Sequence, residues 1–592
     1  MLGHKKVFST LALGMLAGLP VMGFAQTSCS VSPQSTETTA TSGAFRITAS
    51  GVASDVVRMR FPTWGSPGGQ DDIVWYEGIN AGGGKWYVDV NLARHKVGNP
   101  EYGSFTTHVY AIQNSGVETL CAATNWSRVQ PQAPSCTSAD PSVTTTYDHS
   151  GFLRIYARGV ANAQSVRFPT WGRMNDQDDL VWYQGTNAGG GNWYADIDLS
   201  KHKPGSPEYG TFSTHVYVKS AAGAEALCAS TQWQRPQVIA FATGNVINGW
   251  RDSEVRPNGQ LAMAEDLRNS FCAPNCPSGR YRVGMEYMVD LMKDGAKARK
   301  PGVLAELNAL VKSAKVNEFP FFIHVNHEWA LDPGSNPIGV PTWNWAEYTD
   351  WNVPLTTYSV GWGGDTEQGL KPNFESTAVR NKVKSDIAFV SNFVVNNILN
   401  DPAAKKLFMG VDFGWETEVM PSAFGDTRIG YAALAARVNP ANGQPYGPSN
   451  PPADFDAALG DVARDFVVFA ANEYQARGVP KSLLFTHVVA NQGQEIGRKK
   501  RTPFNANVLA GVNFGVSSFG PPFDYPRINA QRGSAPWYVK EADPMGALAA
   551  VNGGSGSPPP ATITVYNWSD TMRNPFNEQN MIPAYQNLFQ TP

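Results

Sequence analysis

The chain reads as a multidomain protein, with two all-β sandwich repeats followed by an α/β domain of the (β/α)8 barrel type. Three observations predict this. A long segment near the N-terminus recurs at a fixed offset. The rest of the chain alternates short apolar runs with helical stretches. The 592 residues are more than a single core usually supports.

The repeat comes first. VRMRFPTWGSPGGQDDIVWYEGINAGGGKWYVDVNLARHK from Val57 returns as QSVRFPTWGRMNDQDDLVWYQGTNAGGGNWYADIDLSKHK from Gln164, 107 residues later. The offset holds without a gap from Cys29/Cys136 to Cys121/Cys228. Within each copy, short alternating segments such as DIVWY and KWYVDV are separated by Gly, Asn and Pro turns, the pattern of an antiparallel sandwich. This gives one repeat over 26–130 and another over 131–235. Cysteine at both ends of each copy makes Cys29–Cys121 and Cys136–Cys228 the simplest pairing, and Cys272 and Cys276 remain to close a small loop. THVY is strand sequence, so His108 and His215 read as structural. Asp71-Asp72 and Asp178-Asp179 read as loop-bracing pairs, with calcium as the other option.

Residues 1–25 have the form of a secretory signal: His4, Lys5 and Lys6, an apolar stretch Val7–Val21, and Gly23-Phe24-Ala25 before a cut. That apolar stretch is too short to span a bilayer, and no other segment approaches the length required. Export suits six cysteines arranged as three bridges. The expected location is secreted, periplasmic or on a bacterial cell surface. Net charge is −3, and the densest basic cluster, Arg498-Lys499-Lys500-Arg501, is short enough to be a solvated loop. Nucleic acid is therefore not an expected partner.

Residues 231–243 read as a linker, and the α/β domain follows over 240–592. Eight strands are predicted: Asn245–Trp250, Arg280–Met288, Phe319–Asn326, Lys406–Gly414, Lys481–Val489, Asn507–Val516, Pro536–Glu541 and Thr562–Trp568. Helical stretches at Gly302–Lys315, Ser376–Asn400 and Asp454–Arg477 lie between them. Barrels of this kind carry chemistry at the C-terminal ends of strands. Those ends supply Trp250, Arg251, His324, Asn326, Glu328, His487, Asn513 and Trp568 as candidate substrate contacts, with Glu416, Glu418 and Glu541 as candidate catalytic carboxylates. His324 and His327 are separated by an odd number of residues, which puts them on opposite faces of a strand, so no metal site is expected. The loop Trp329–Glu375 holds Trp329, Trp343, Trp345, Trp351 and Trp362 and reads as a sugar-stacking wall.

Two resemblances sharpen this. The N-terminal copies, through QDDIVWY, the later G-x-W and the closing H-K…T-H-V-Y, resemble the GBS Bsp-like repeat of bacterial surface and cell-wall-associated proteins. That resemblance implies a non-catalytic accessory role, with a cell-wall or matrix glycan as a partner. The C-terminal domain, with a glutamate after the fourth strand, another after the seventh and an aromatic ending the eighth, is similar to the clan of retaining (β/α)8 glycoside hydrolases. Carried over, this resemblance implies Glu418 as acid/base, with Glu416 the alternative, Glu541 as nucleophile and Trp568 as a sugar platform. It implies no cofactor. Thr417 departs from the pattern, since the residue before the acid is commonly Asn. The expected function is therefore an exported glycoside hydrolase acting on an envelope, sheath or matrix polysaccharide. The alternatives are a carbohydrate-binding surface protein with a degenerate barrel and a cell-wall amidase or peptidase.

Overall fold

The computed structural model describes residues 28–590 apart from 41, 67–68, 96–100, 149–150, 175, 203–207, 244–254, 274–275, 277–278, 292–299, 327–337, 359–368, 415, 423–426, 521 and 569–571. The segment read as a secretory signal and the expected first strand Asn245–Trp250 lie outside these. Three disulfides form, Cys29–Cys121, Cys136–Cys228 and Cys272–Cys276, and no cysteine is free. Among the described residues no helix is long and apolar enough to cross a membrane. The chain forms two compact units. One runs through Pro134 and adds Ser220–Ala224, and the other holds Ser135–Lys219 and Glu225–Pro592.

The first unit carries the first repeat. A four-stranded sheet built on Ala44–Ser50 and Lys85–Asn91 packs on a five-stranded one built on Val56–Gly65, Gly103–Gln113 and Glu118–Arg128. Alternation sends Phe45, Ile47, Phe105, Val109 and Trp126 into the shared core. The bracing aspartate is visible here. Asp72 accepts from the Gly65 amide at 2.8 Å and lies 3.1 Å from His95 Nδ1. In the second unit the other repeat repeats this design, with Asp179 meeting the Gly172 amide and His202 at the same distances.

The rest of the second unit is a parallel sheet flanked by helices. Its strands are β1 Gln237–Ala242, β2 Tyr281–Asp290, β3 Phe321–Asn326, β4 Phe408–Phe413, β5 in two pieces (Leu484–Phe485 and Val488–Val489), β6 Phe514–Ser518, β7 Trp537–Ala542 and β8 Thr562–Val565. The order is β5–β4–β3–β2–β1–β8–β7–β6–β5, every pairing parallel. One edge of the sheet is Leu484–Phe485 against β4, and the other is Val488–Val489 against β6, so the sheet curls until both edges come from one short run of chain. A curled parallel sheet with a helix after each strand fits a partial TIM-like fold. In the helix Phe455–Ala476, Leu459, Val462, Ala463, Phe466, Val467, Ala470 and Tyr474 recur at helical spacing and are buried, and the Asp454 side chain caps the first turn through the Ala457 amide. In β4, Gly410 sits at φ +138°, and a Cβ there would meet the Leu483 carbonyl oxygen at 2.3 Å.

Three expectations change. The stretch 231–243 is no linker. Its first part ends the last strand of the second repeat, and VIAFA within it is β1, buried at every residue. The apolar run Asn507–Val516 is not one strand. Ala506–Ala510 is helical and stopped by Gly511 at φ +68°, and β6 begins only at Phe514. The basic run at 498–501 is part of the helix Ile496–Arg501, not a solvated loop.

Candidate active site

Side chains two residues apart on a strand share a face. That rule stacks the interior of the curled sheet in layers. Phe322, Phe485 and Tyr538 form an apolar floor with Val238 and Met409. One step up the same strands come His324, His487 and Lys540, joined by Glu286 of β2 and Thr564 of β8.

Charges at this depth survive only when paired. Lys540 Nζ donates to Glu286 Oε2 at 2.9 Å and lies 3.5 Å over the Phe322 ring, and both members of the ion pair are fully buried. The Thr564 hydroxyl donates to the same oxygen at 2.9 Å. His324 Nδ1 stands 3.1 Å from Glu286 Oε1. Burial opposes the Glu286 charge, but Lys540 and His324 outweigh it and hold the carboxyl below the usual range.

Above this pair the network turns toward the sheet mouth. Asp412 Oδ2 lies 3.3 Å from His487 Nδ1 and 3.8 Å from His324 Nδ1. His487 Nε2 lies 3.6 Å from Glu541 Oε2. Burial raises the Asp412 carboxyl and drives the His487 imidazole down to about 3, so His487 stays neutral at working pH. One ligand atom each of His324, Asp412 and His487 lies within 4.8 Å of the others, a set that could hold a metal ion.

Glu416 and Glu418 follow β4 but differ in surroundings. Glu416 takes a left-handed backbone, φ +52°, unusual for a residue with a side chain. Its amide donates to the His487 carbonyl oxygen at 3.1 Å, and Oε1 accepts from the Ser517 hydroxyl at 2.9 Å. Burial pushes its carboxyl up to about 8, against the pull of the Arg498 guanidinium. Glu418, also buried, is gripped by that guanidinium. Nε lies 3.1 Å from Oε1 and 3.3 Å from Oε2, and Nη2 lies 2.6 Å from Oε1.

The structure brings Glu541, Glu416, His487 and His324 into one cluster and holds Asn326 buried on the same face of β3 as His324. Two expected contacts are elsewhere. Asn513 precedes β6 instead of following it. Its amide bonds the Ser482 and Leu484 carbonyls, beside a cavity of about 590 Å³ at the opposite end of the sheet. Trp568 is fully buried, edge-on to Phe241 and Phe271 at 5.1 and 5.8 Å, so it is core material and offers no sugar platform. Trp250, Arg251 and Glu328 lie outside the described residues. In the Trp-rich loop, Trp345 is buried and Trp343 is exposed, while Trp329 and Trp362 lie outside the description.

The sequence pattern does not single out Lys540, Thr564 or Arg498 as site residues. Lys540 sits one residue before a more conspicuous glutamate. The acceptor of Arg498 lies 80 residues earlier. Its neighbours are also spoken for, with Lys499 on Asp524, Lys500 on Asp454 and Arg501 on Asp456.

A pH prediction follows. Glu416 and Glu347, both pushed up to about 8 by burial, are protonated when folded and ionised when unfolded across the range between 4.5 and 8. A raised carboxyl contributes fully below its unfolded value and loses that contribution as pH rises through the folded one. The melting temperature should therefore be lower at about pH 8.5 than at about pH 5. Glu416→Gln should flatten part of that slope in a thermal-shift series.

The GBS Bsp-like repeat family matches residues 34–126 and 142–233. No curated protein matches the chain. Among solved structures, a tetra-tandem repeat from the extending region of a large adhesion protein is similar at 15% identity and TM-score 0.16, over 35% of this chain and 47% of that one. A polysaccharide deacetylase from Bacillus cereus is similar at 10% identity and TM-score 0.16, over 33% and 60%. The chain thus spans less than two thirds of either. A cycloalternan-degrading enzyme from Trueperella pyogenes is similar at 9% identity and TM-score 0.28, over 93% and 82%. TM-scores this low assign neither fold nor activity. The N-terminal region holds two GBS Bsp-like repeats.

Proposed function

We propose that the protein is an exported glycoside hydrolase in which the curled sheet is a (β/α)8 barrel, Glu416 is the acid/base and Glu541 the nucleophile. One observation carries this. Two buried carboxyls at the ends of β4 and β7 share the neighbours His487 and Ser517, and one of them has its proton affinity raised to about 8. Acid-assisted glycoside cleavage needs one carboxyl that keeps its proton at neutral pH and a second carboxyl to attack, and Glu416 meets the first requirement. Of the two glutamates after β4, Glu416 is the better donor, because Arg498 bonds both oxygens of Glu418. Glu418 then acts as the partner of Arg498.

In the first step the Glu416 proton passes to the leaving oxygen while Glu541 attacks the anomeric carbon. Neutral His487 beside Glu541 adds no positive charge that would blunt the attack. In the second step Glu416, now ionised, takes a proton from water, and the sugar departs with retained configuration. The substrate class is a polysaccharide, and envelope, sheath and matrix glycans fit the expected location. Turnover against a polysaccharide panel is the test. Activity should fall above about pH 8, where Glu416 loses its proton. The first-formed sugar should keep its anomeric configuration in a proton NMR time course, whereas inverted product would place a water between the carboxyls instead.

A second reading rests on His324, Asp412 and His487, whose ligand atoms converge. They would hold a divalent ion in a metal-assisted hydrolase. The expected result is that a chelator leaves turnover intact, and loss with recovery on adding zinc would favour the second reading. A thiol nucleophile is excluded, because all six cysteines are bridged.

A further inference from the structure

Each repeat turns a cluster of aromatic rings outward from its sandwich. In the first, Trp64 meets His108 edge-on at 4.8 Å, His108 lies 6.1 Å from Tyr110, and Tyr110 lies 5.9 Å from Trp75. In the second, Trp171, His215, Tyr217 and Trp182 repeat these contacts at 4.7, 6.3 and 5.6 Å. None of the eight belongs to either hydrophobic core. Trp75 is 54% exposed and Trp182 48%, an unusual use of tryptophan on a surface.

The two copies act as an internal control. On the same outward strands Arg58 has become Ser165, Glu77 has become Gln184 and Ile112 has become Lys219. The four rings are identical in both. Core packing cannot explain that identity, since these side chains pack no core.

The surroundings choose the ligand chemistry. On the second repeat, Trp171 and His215 border an open cavity of about 530 Å³ together with Arg173, Asp176, Gln177 and Gln232. Flat rings beside amide and guanidinium groups match the C–H faces and vicinal hydroxyls of pyranose sugars. The arginines on these strands are paired, Arg58 with Glu77, Arg60 with Glu77 and Glu118, and Arg167 with Glu225, and Arg173 shares the cavity rim with Asp176. A polyanion would find no free positive stripe there.

We propose that the aromatic face of each repeat is a binding site for a neutral pyranose polysaccharide. The chain thus holds its substrate polymer at two places besides the catalytic centre. The polymer's role as substrate rests on the glycosidase reading, but the binding does not.

The test uses the full chain and Trp75→Ala, Trp182→Ala and the double variant, in pull-downs on cellulose, chitin and starch granules. The wild type should be retained by at least one. Each single variant should bind roughly fivefold to tenfold more weakly. The double variant should lose on the order of a hundredfold, through loss of bivalent attachment. An unchanged melting temperature shows that each variant folds. Glu541→Gln should bind as the wild type does, so failure of the catalytic reading leaves this result standing. Retention on none of the three polymers overturns the inference, as does equal retention of the double variant. A shift from dimer to monomer on Trp replacement, without polysaccharide binding, would give the face to self-association instead.

Discussion

Glu541→Gln is expected to reduce turnover by on the order of 10³-fold or more while leaving the fold intact. The substitution keeps the shape and removes the charge. Glu541 is 3% exposed and lies 3.6 Å from His487 Nε2, and Gln fills almost the same volume there. Circular dichroism and melting temperature should match the wild type, and the loss should fall on kcat. Glu416→Gln should cost about 10²–10⁴-fold for substrates with poor leaving groups. It should cost much less for an activated aryl glycoside, which leaves without a proton. Glu418→Gln should behave differently from both, releasing Arg498 and costing stability before chemistry. Unchanged turnover in all three variants would remove the carboxylates from the mechanism, and no turnover by the wild type across many glycans would favour a binding protein with a degenerate barrel.

The second large effect is on stability. Lys540→Met should destabilise the domain by about 3–5 kcal/mol, because it takes the counter-charge from a fully buried Glu286 carboxylate. The melting temperature should fall by roughly 5 °C. Glu286→Gln alone should be similarly harmful by stranding the ammonium over the Phe322 ring. The double variant Glu286→Gln/Lys540→Met removes both charges and should recover much of the loss, a coupling that a double-mutant cycle reads directly. The contrast is Arg46–Asp89 on the first repeat. That pair is bonded at 2.7 Å, but its side chains are 50% and 37% exposed, so its removal should cost less than about 1 kcal/mol.

Much of the site was legible in the sequence wherever a strand announced itself. FFIHVN and FMGVDF are apolar runs ending in polar residues, and those ends place His324, Asn326 and Asp412 where the structure has them. The disulfides were legible because the duplication left one pairing that respects both copies. β1 was missed because VIAFA follows directly on the last sandwich strand, with Pro236 between them and no loop to mark a boundary. β6 was misplaced because NVLAGVNFGV is apolar throughout, and only the left-handed Gly511 separates helix from strand. Trp568 deceived for a physical reason. A tryptophan at a strand end serves a sugar or a core equally well, and what decides is the Phe241 and Phe271 rings that meet it, contributed from over 290 positions earlier. The preference between Glu416 and Glu418 turned on Arg498, a contact no local pattern carries.

The most direct measurement is mass spectrometry of Glu416→Gln after incubation with an activated fluoro-sugar donor. The account predicts a stable gain of one glycosyl unit on the peptide that begins at Glu541, absent when Glu541 is replaced. An adduct on another residue, or rapid turnover with no adduct on Glu541, would contradict it.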